Sequence, residues 1–447
     1  MLRFILNSLM AVGAAMYTTL GLYACRAAPG ASVDLPAANI PLEPKPAIVS
    51  ILQSRPQDSL PLQQAIDLYL AANPGARINV QTVAGENDYR AALRVRLLSG
   101  ERCDIFQVFS GQEARELSAN LANLSDLSWI SDAIANTAEP LGFNGGIYGL
   151  PHSVEAQGLL LNRDAFEAAG VIPGAINSLA SLESAMEQLR AAVRESTQTD
   201  AFPQLGNITD FPIQDKSYLA RTAGNILLTG EFENTADILA AREIKLANPT
   251  EDFFRLMMRY SPRDDWASRD GLSYSYQLER FANQEIALLL CSTADAAKIL
   301  ELNPALEGRL TLLPIMLPGD EHGRIYTSVP VWWAVGAHSE APVQENAKRF
   351  LTWLYRSETG SVLTAARMGI ASPWADTAKE TANPVNSRML ALIEKGRSEP
   401  QLWREQPYDW GTGVLVPTFR SCFAGEIKWE DMLTALREEW ALKMYGR

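Results

Sequence analysis

The part of the chain that follows position 46 alternates between short apolar segments and amphipathic segments. Strand-like apolar runs occur at 47–53, 77–82 and 103–108, and helix-like periodicity occurs at 60–73 and 88–100. A strand–helix–strand–helix–strand order with such short connections predicts a mainly parallel sheet covered by helices on both faces. We therefore expect an α/β protein.

The segment IYGLPHSVEAQGLLLNRDAFEAAGV at 147–171 predicts another buried strand and the short helix that follows it. Its apolar run at 159–161 lies between Gly158 and Asn162, which suits a strand buried on both faces of a sheet. Glu155 precedes this run, at the mouth of the strand, where a carboxylate can meet a polar ligand. The alternative role for this carboxylate is a structural salt bridge.

This segment resembles the first interdomain crossover of the extracellular solute-binding proteins of ABC importers, in the carbohydrate-binding branch. The family pattern there is YGLP-x-S-x-E-x-x-G-L-x-Y-N-K-D-L-F-E-x-A-G, from which this chain departs by Leu161 in place of Tyr and Arg163 in place of Lys. Three later segments, at 281–300, 328–354 and 424–440, resemble further family segments in the same order. This chain departs from the family pattern at Asn283-Gln284, Ser292-Thr293 and Ser328-Val329-Pro330.

The resemblance implies a periplasmic-binding-protein-like fold, in which two α/β lobes are joined by hinge strands and a ligand cleft lies between them. We expect lobe I at 47–153, completed by 317–370, and lobe II at 154–316, completed by 371–447. The hinges are expected near His152–Ala156, Leu313–Leu317 and Ile370–Trp374.

The N-terminus has the pattern of an exported lipoprotein. Arg3 is followed by a largely apolar stretch and by Leu22-Tyr23-Ala24-Cys25, which looks like a lipobox. We expect residues 1–24 to be a signal peptide, Cys25 to carry the lipid, and 25–46, rich in Ala and Pro, to be a flexible tether. The alternatives are a plain secretory signal or a membrane-anchoring helix.

Charge and cysteine content exclude several function classes. A net charge of −13 and the lack of a basic run argue against nucleic-acid binding. The sequence has no CxxC pair and no Cys/His cluster, so we expect neither a metal nor another cofactor. Cys103, Cys291 and Cys422 can form one disulfide and leave one free thiol, or all three can be buried and reduced.

The candidate ligand-binding residues share positions near the expected cleft. Glu155 is the strongest, because it matches the family's ligand-contacting carboxylate. Ser110 and Gly111 open a helix at the carboxyl end of a strand, where free backbone N–H groups can meet a ligand, although Ser110 can equally be a helix cap. Arg55 and Asp215 are candidates from position alone, and Arg55 can pair either with an acidic sugar or with the acidic surface.

Aromatic side chains are expected in the cleft, because the C–H faces of sugars stack on them. Trp332 and Trp333 are adjacent on a predicted strand, so at most one of them can face the cleft. The other aromatic candidates, for each of which core or surface packing is the alternative, are Trp266, Tyr274 and Tyr276 in a polar loop and Trp374 beyond the third hinge.

These features predict a lipid-anchored receptor that faces the periplasm or the cell exterior of a bacterium. It would capture a mono- or oligosaccharide, deliver it to the transmembrane subunits of an ABC permease, act as a monomer and perform no chemistry itself. The alternatives are a receptor for another polar solute (a polyol, a glycerol phosphate or a peptide), a secreted glycoside hydrolase, and a surface adhesin or sensor partner.

Overall fold

The computed structural model describes residues 48–195, 204–262, 273–368, 370–377 and 383–445, without the side chains of 366 and 367. The expected signal peptide, Cys25, the tether and Trp266 lie outside these described residues. The described part has a mixed α/β architecture with two main sheets.

The strands vary from two to eight residues in length. In chain order they are β1 (Ile48–Gln53), β2 (Arg77–Thr82), β3 (Ile105–Val108), β4 (Gly142–Phe143), β5 (Gly146–Ile147), β6 (Leu150–Pro151), β7 (Glu155–Asn162), β8 (Leu288–Ser292), β9 (Leu310–Leu313), β10 (Ile325–Ser328), β11 (Trp332–Val335) and β12 (Ser398–Pro400).

Helices cover the sheets. In chain order they are α1 (Ser59–Ala72), α2 (Glu86–Ser99), α3 (Gly111–Glu116), α4 (Arg163–Ala168), α5 (Leu179–Glu195), α6 (Lys216–Leu227), α7 (Thr235–Ala240), α8 (Glu251–Arg259), α9 (Tyr274–Ala282), α10 (Thr293–Leu302), α11 (Ala341–Arg356), α12 (Glu358–Arg367), α13 (Pro384–Glu394), α14 (Val416–Phe423) and α15 (Trp429–Tyr445).

The first sheet has the strand order β2-β1-β3-β11-β6. Strand β1 pairs in parallel with β2 and β3, whereas β11 is antiparallel to β3 and β6. Side chains on opposite faces of β1 enter different cores: Val49 and Ile51 pack with α1 and α11, and Leu52 packs with Tyr89 of α2. The predicted parallel sheet with helices on both faces is thus confirmed for β1 to β3.

The second sheet is built around β7, which pairs antiparallel with β8, β9 and β10, while β12 adds in parallel to β10. Leu159 and Leu161 enter one core and Leu160 enters the core on the other face, and all three are fully buried. The expectation of a strand buried on both faces is confirmed.

The chain passes between the two sheets in three places. It leaves the first sheet at 152–154, between β6 and β7, and returns at 329–331, between β10 and β11. The third passage is at 370–374, where Ala371 bridges Val154 and Trp374 bridges Ala133.

Two expected hinges, at 152–156 and 370–374, overlap these passages, but the second passage lies later than the expected hinge at 313–317. Ile315 bridges Arg324 across a turn, so the chain folds back and adds β10 to the second sheet before it leaves. The boundaries of the lobes remain a prediction.

Two further features bear on the expectations from the sequence. Cys103, Cys291 and Cys422 are buried free thiols, which is the second of the two alternatives considered for them. In the part of the chain that the structure describes, every helix is too short or too polar to cross a lipid bilayer.

Candidate functional site

Two adjoining cavities lie between the elements of the first sheet and those of the second. The larger, which we call the hinge cavity, has a volume of about 620 Å³. Its lining comes from the turn after β1, from the first passage and the start of β7, from the end of α12 and the third passage, and from α10, with one residue of α13. These residues are Arg55, Gln57, Asp58, Ser153, Val154, Glu155, Thr293, Ala294, Ala297, Lys298, Glu301, Met368, Ile370, Ala371 and Asn386.

The second, which we call the aromatic cavity, has a volume of about 520 Å³ and shares Lys298 with the hinge cavity. The start of α2 lines it from the side of the first sheet, and the remaining lining comes from the side of the second. These residues are Glu86, Asn87, Asp215, Ser217, Tyr218, Ala220, Arg221, Tyr274, Asp295, Lys298, Trp403, Gln406, Asp409, Gly411 and Thr412.

The hinge cavity contains polar groups without partners. Glu155 is the first residue of β7 and is half-buried, and its carboxylate makes no hydrogen bond or ion pair with any described residue. Ser153 is fully buried, and its hydroxyl has no hydrogen-bond partner among the described residues. Because buried polar groups nearly always have partners, this pair is suited to accept and donate hydrogen bonds to a polar ligand.

A hydrogen-bonded network forms one wall of the hinge cavity. Asp58 accepts from Arg55 Nε at 2.6 Å and from His152 Nε2 at 3.0 Å. Nδ1 of His152 lies 3.2 Å from the indole nitrogen of Trp333, which can only donate, so Nε2 is the ring nitrogen that donates to Asp58. Burial raises the pKa of Asp58, but the bonds from His152 and Arg55 outweigh it and hold the pKa below its usual value. The Nε group of Arg55 is therefore bonded to Asp58.

Two stacked tyrosines form a wall of the aromatic cavity. The ring centroids of Tyr218 and Tyr274 are 3.4 Å apart at an interplanar angle of 12°. Asp215 fixes both backbones, because its two carboxylate oxygens accept from Tyr218 N at 2.8 Å and from Tyr274 N at 3.0 Å. Tyr274 Oη donates to Asp295 at 3.1 Å, and burial raises the pKa of both phenols well above their usual value. The wall is held entirely by bonds within the protein.

Ser110 and Gly111 line neither cavity. Ser110 caps α3 by accepting from Glu113 N at 3.0 Å. The backbone N–H groups of Gly111 and Gln112, expected to be free for a ligand, donate to the two carboxylate oxygens of Glu405 at 2.8 and 2.9 Å. A protein carboxylate thus occupies the place that the sequence assigned to a ligand.

Three of the tryptophan candidates belong to the core instead of the cavities. Trp332, Trp333 and Trp374 are 4%, 2% and 0% exposed. Both faces of the first sheet are covered, so the two adjacent residues of β11 are buried on opposite sides. Trp374 packs edge-on against Trp129, with ring centroids 4.7 Å apart. We exclude all three from the proposed ligand contacts, and Tyr276 also lines neither cavity.

The structure adds cavity residues that the sequence analysis missed. Trp403 lies in a polar segment, which is the pattern that singled out Tyr274, so it could have been found in the same way. Lys298 lies on α10, which follows the carboxyl end of β8, a usual ligand position in α/β sheets. Arg221 lies over the Tyr218 ring at 4.5 Å, and its cavity position could not be found from local sequence.

The described residues contain no group of three or more His, Cys, Asp or Glu side chains that could hold a metal ion.

Solved structures share this fold over nearly all of their length. A cyclic α-maltosyl-1,6-maltose binding protein from Arthrobacter globiformis has a TM-score of 0.70 at 16% identity, with 90% of this chain and 100% of that chain covered. The apo form of RafE from Streptococcus pneumoniae has a TM-score of 0.69 at 15% identity, with 90% and 99% covered. An ABC substrate-binding protein from Listeria monocytogenes, in complex with cycloalternan, has a TM-score of 0.63 at 18% identity, with 89% and 99% covered.

These similarities show the periplasmic-binding-protein-like fold with two α/β lobes. No curated protein sequence matches the chain significantly. The model of the bacterial extracellular solute-binding proteins, a family of binding proteins and not of enzymes, matches residues 54–360. The chain belongs to the family of bacterial extracellular solute-binding proteins.

Proposed function

We propose that this protein captures a carbohydrate in the cleft between its lobes and delivers it to the permease of an ABC importer, without catalysing a reaction. The observation that supports it most is the pair of unpartnered polar groups at the hinge, the Glu155 carboxylate and the Ser153 hydroxyl. A sugar offers several hydroxyls that both donate and accept, so one ligand can satisfy both groups.

The aromatic cavity supplies the complementary surface. The Tyr274 and Tyr218 wall and Trp403 line it beside the charged groups of Arg221 and Lys298. Flat aromatic rings next to polar side chains suit the alternating C–H faces and hydroxyl edges of a saccharide. Proteins of the same fold have been solved with raffinose and with stachyose, which agrees with this ligand class.

We infer that a first lobe is built on the first sheet and a second lobe on the second, with the passages at 152–154, 329–331 and 370–374 as hinges. Both lobes contribute to the hinge cavity, through Arg55 on one side and Lys298 on the other. A ligand that contacts both lobes stabilises the closed state by its differential affinity for that state. Closure is the event that the permease would recognise.

We further propose that the protein is exported, lipid-anchored through Cys25 and active as a monomer facing the periplasm or the cell exterior. The lipobox-like residues 22–25 and the Ala- and Pro-rich stretch behind them support this placement. Labelling with a fatty-acid analogue in a bacterial host, with Cys25→Ser as the control, tests the anchor. Equal labelling of the two proteins would contradict it.

A binding screen with the Glu155→Gln variant tests the ligand class. We expect one class among mono- and oligosaccharides, polyols, sugar phosphates and peptides to raise the melting temperature of the full-length protein, because a ligand that binds the folded state stabilises it. Hydrogen bonds to a charged group contribute about 1.5–3 kcal/mol, so Glu155→Gln should weaken binding about tenfold or more.

The matched control is Glu301→Gln, which changes another carboxylate of the hinge cavity on α10. Its effect on affinity should be much smaller, because Glu301 lies on the exposed side of α10. A response to peptides alone would reject the carbohydrate assignment. Release of new reducing ends from a bound oligosaccharide would reject the claim that the protein performs no chemistry.

A further inference from the structure

The segment Trp403–Glu405 is anchored in the second lobe. The residue before it, Leu402, is buried in the second-lobe core, and its N–H donates to Asn225 Oδ1 of α6 at 2.8 Å. Gln401 N donates to Thr327 O of β10 at 2.7 Å. The segment therefore moves with the second lobe in any hinge motion.

The same segment binds the first lobe through two charged side chains. The Glu405 carboxylate accepts from the N–H groups of Gly111 and Gln112 at 2.8 and 2.9 Å, at the start of α3. Arg404 Nη1 donates to both carboxylate oxygens of Glu86, at the start of α2, at 3.0 and 3.1 Å. Each bond connects the two lobes, and none requires a ligand.

The contact of Arg404 and Glu405 with the first lobe is largely buried. Glu405 is 6% exposed, and the Arg404 guanidinium lies between the rings of Trp403 at 4.7 Å and Phe109 at 5.7 Å. Arg404 and Glu405 line neither the hinge cavity nor the aromatic cavity. Their partners Gly111, Gln112 and Glu86 belong to different elements of the first lobe.

We propose that Arg404 and Glu405 form a latch that favours the closed cleft in the absence of ligand, without touching the ligand. This inference rests on the proposed function in one respect, since it assumes that the cleft opens and closes around a ligand. The bonds of the latch form only in the closed state, so they shift the open–closed equilibrium towards closure.

The latch has a defined consequence for binding. If the open state predominates in the free protein, ligand binding must drive closure, and the apparent Kd is lower when closure is more favourable. Loss of the latch then raises Kd by the same factor by which it lowers the closed-to-open equilibrium constant. Where the latched state predominates in the free protein, its loss leaves Kd nearly unchanged but increases the open population. In both cases the ligand-free equilibrium must change.

The test measures that equilibrium directly, in the ligand-free full-length protein. Spin labels at Leu98→Cys in α2 and Leu442→Cys in α15, both exposed, report the distance between the lobes by double electron–electron resonance. A Cys25→Ser background avoids labelling there, and the three other thiols are buried. We expect Glu405→Gln to reduce the ratio of closed to open molecules about tenfold, because the Gln Nε2 group faces one of the two N–H donors.

Two companion variants make the result specific. Arg404→Gln removes the bonds to Glu86 and the contacts of the guanidinium with the Trp403 and Phe109 rings, but leaves the bonds of Glu405 in place, and should open the cleft to a smaller extent. Glu399→Gln is the matched control, because Glu399 pairs with Arg324 within the second lobe and neutralising it should leave the distances unchanged. Each variant is checked for an intact cooperative melting transition.

Unchanged distance distributions in both Glu405→Gln and Arg404→Gln would overturn the latch. A shift as large in Glu399→Gln as in Glu405→Gln would also overturn it, since the effect would then not depend on contacts between the lobes. No ligand is present in this measurement. Failure of the latch is therefore distinguishable from failure of the carbohydrate assignment, which only the binding screen can reject.

Discussion

The two cavities of the cleft differ in how their polar groups are satisfied. In the aromatic cavity, the carboxylates of Asp215 and Asp295 and the phenol of Tyr274 all bond to other groups of the protein. The side-chain oxygen of Gln406, which also lines this cavity, has no partner among the described residues. In the hinge cavity, the Glu155 carboxylate and the Ser153 hydroxyl have no partner among the described residues. We infer that the tyrosine wall of the aromatic cavity, with Asp215 and Asp295, is preformed, whereas the hinge-cavity groups at Ser153 and Glu155 are completed by the ligand.

The largest effect on stability should therefore come from the aromatic cavity. The Asp295 carboxylate accepts from Ser292 N, Ser292 Oγ, Tyr274 Oη and Lys298 Nζ. Breaking a buried charged network of this kind typically costs about 3 kcal/mol, so we expect Asp295→Asn to lower the free energy of unfolding by about that amount. Urea unfolding followed by circular dichroism measures it.

Asp409→Asn is the matched control in the same cavity. Its carboxylate is exposed, accepts from the Thr412 hydroxyl, and belongs to a residue with φ of 60°, a conformation that Asn tolerates. We expect a change within about 0.5 kcal/mol. Equal destabilisation by the two substitutions would show that the bonds of Asp295 do not organise the cavity.

Ser153→Ala in the hinge cavity should not lower the free energy of unfolding, in contrast to Asp295→Asn. Removing a buried hydroxyl without a partner avoids its desolvation cost, so the unfolding free energy should stay constant or rise by about 1 kcal/mol. The affinity for the saccharide found in the binding screen should fall in the same variant, as measured by calorimetry. A loss of stability would mean that the hydroxyl is bonded within the protein and would remove the contrast between the cavities.

The smallest effect is on the pH dependence of stability. It should have opposite signs for Asp58 in the hinge cavity and Glu405 in the latch. The pKa of Asp58 is lowered in the folded protein, so its stabilisation is present above the unfolded value of about 3.9 and is lost as the pH falls through the folded pKa. Burial raises the pKa of Glu405 despite the two N–H bonds, so its contribution is present below about 4.3 and is lost as the pH rises through the raised pKa.

The urea concentration at half-unfolding, measured between pH 3 and pH 7, tests these opposite pH dependences of stability. Relative to the parent protein, Asp58→Asn should weaken the loss of stability in acid, and Glu405→Gln should weaken the loss towards neutral pH. Parallel pH profiles for the two variants would contradict the assignment of opposite shifts to the two carboxylates.

The sequence by itself determined the strand–helix alternation of β1 to β3, the burial of β7 on both faces and the position of Glu155 at the mouth of that strand. These features depend on local periodicity, because the pattern of apolar residues along one segment decides which of its faces is buried. The resemblance to family segments added the two-lobed fold.

Only the tertiary structure decided which polar and aromatic groups line the cleft. The N–H group of Gly111 bonds to Glu405, 294 residues later in the chain, and no local pattern contains that partner. Trp332 and Trp333 are both buried because helices cover both faces of their sheet, and the second passage lies at 329–331 because β10 pairs with β7. Local sequence limits the conformation of a segment, whereas contacts between segments distant in sequence decide whether its side chains are left free for a ligand.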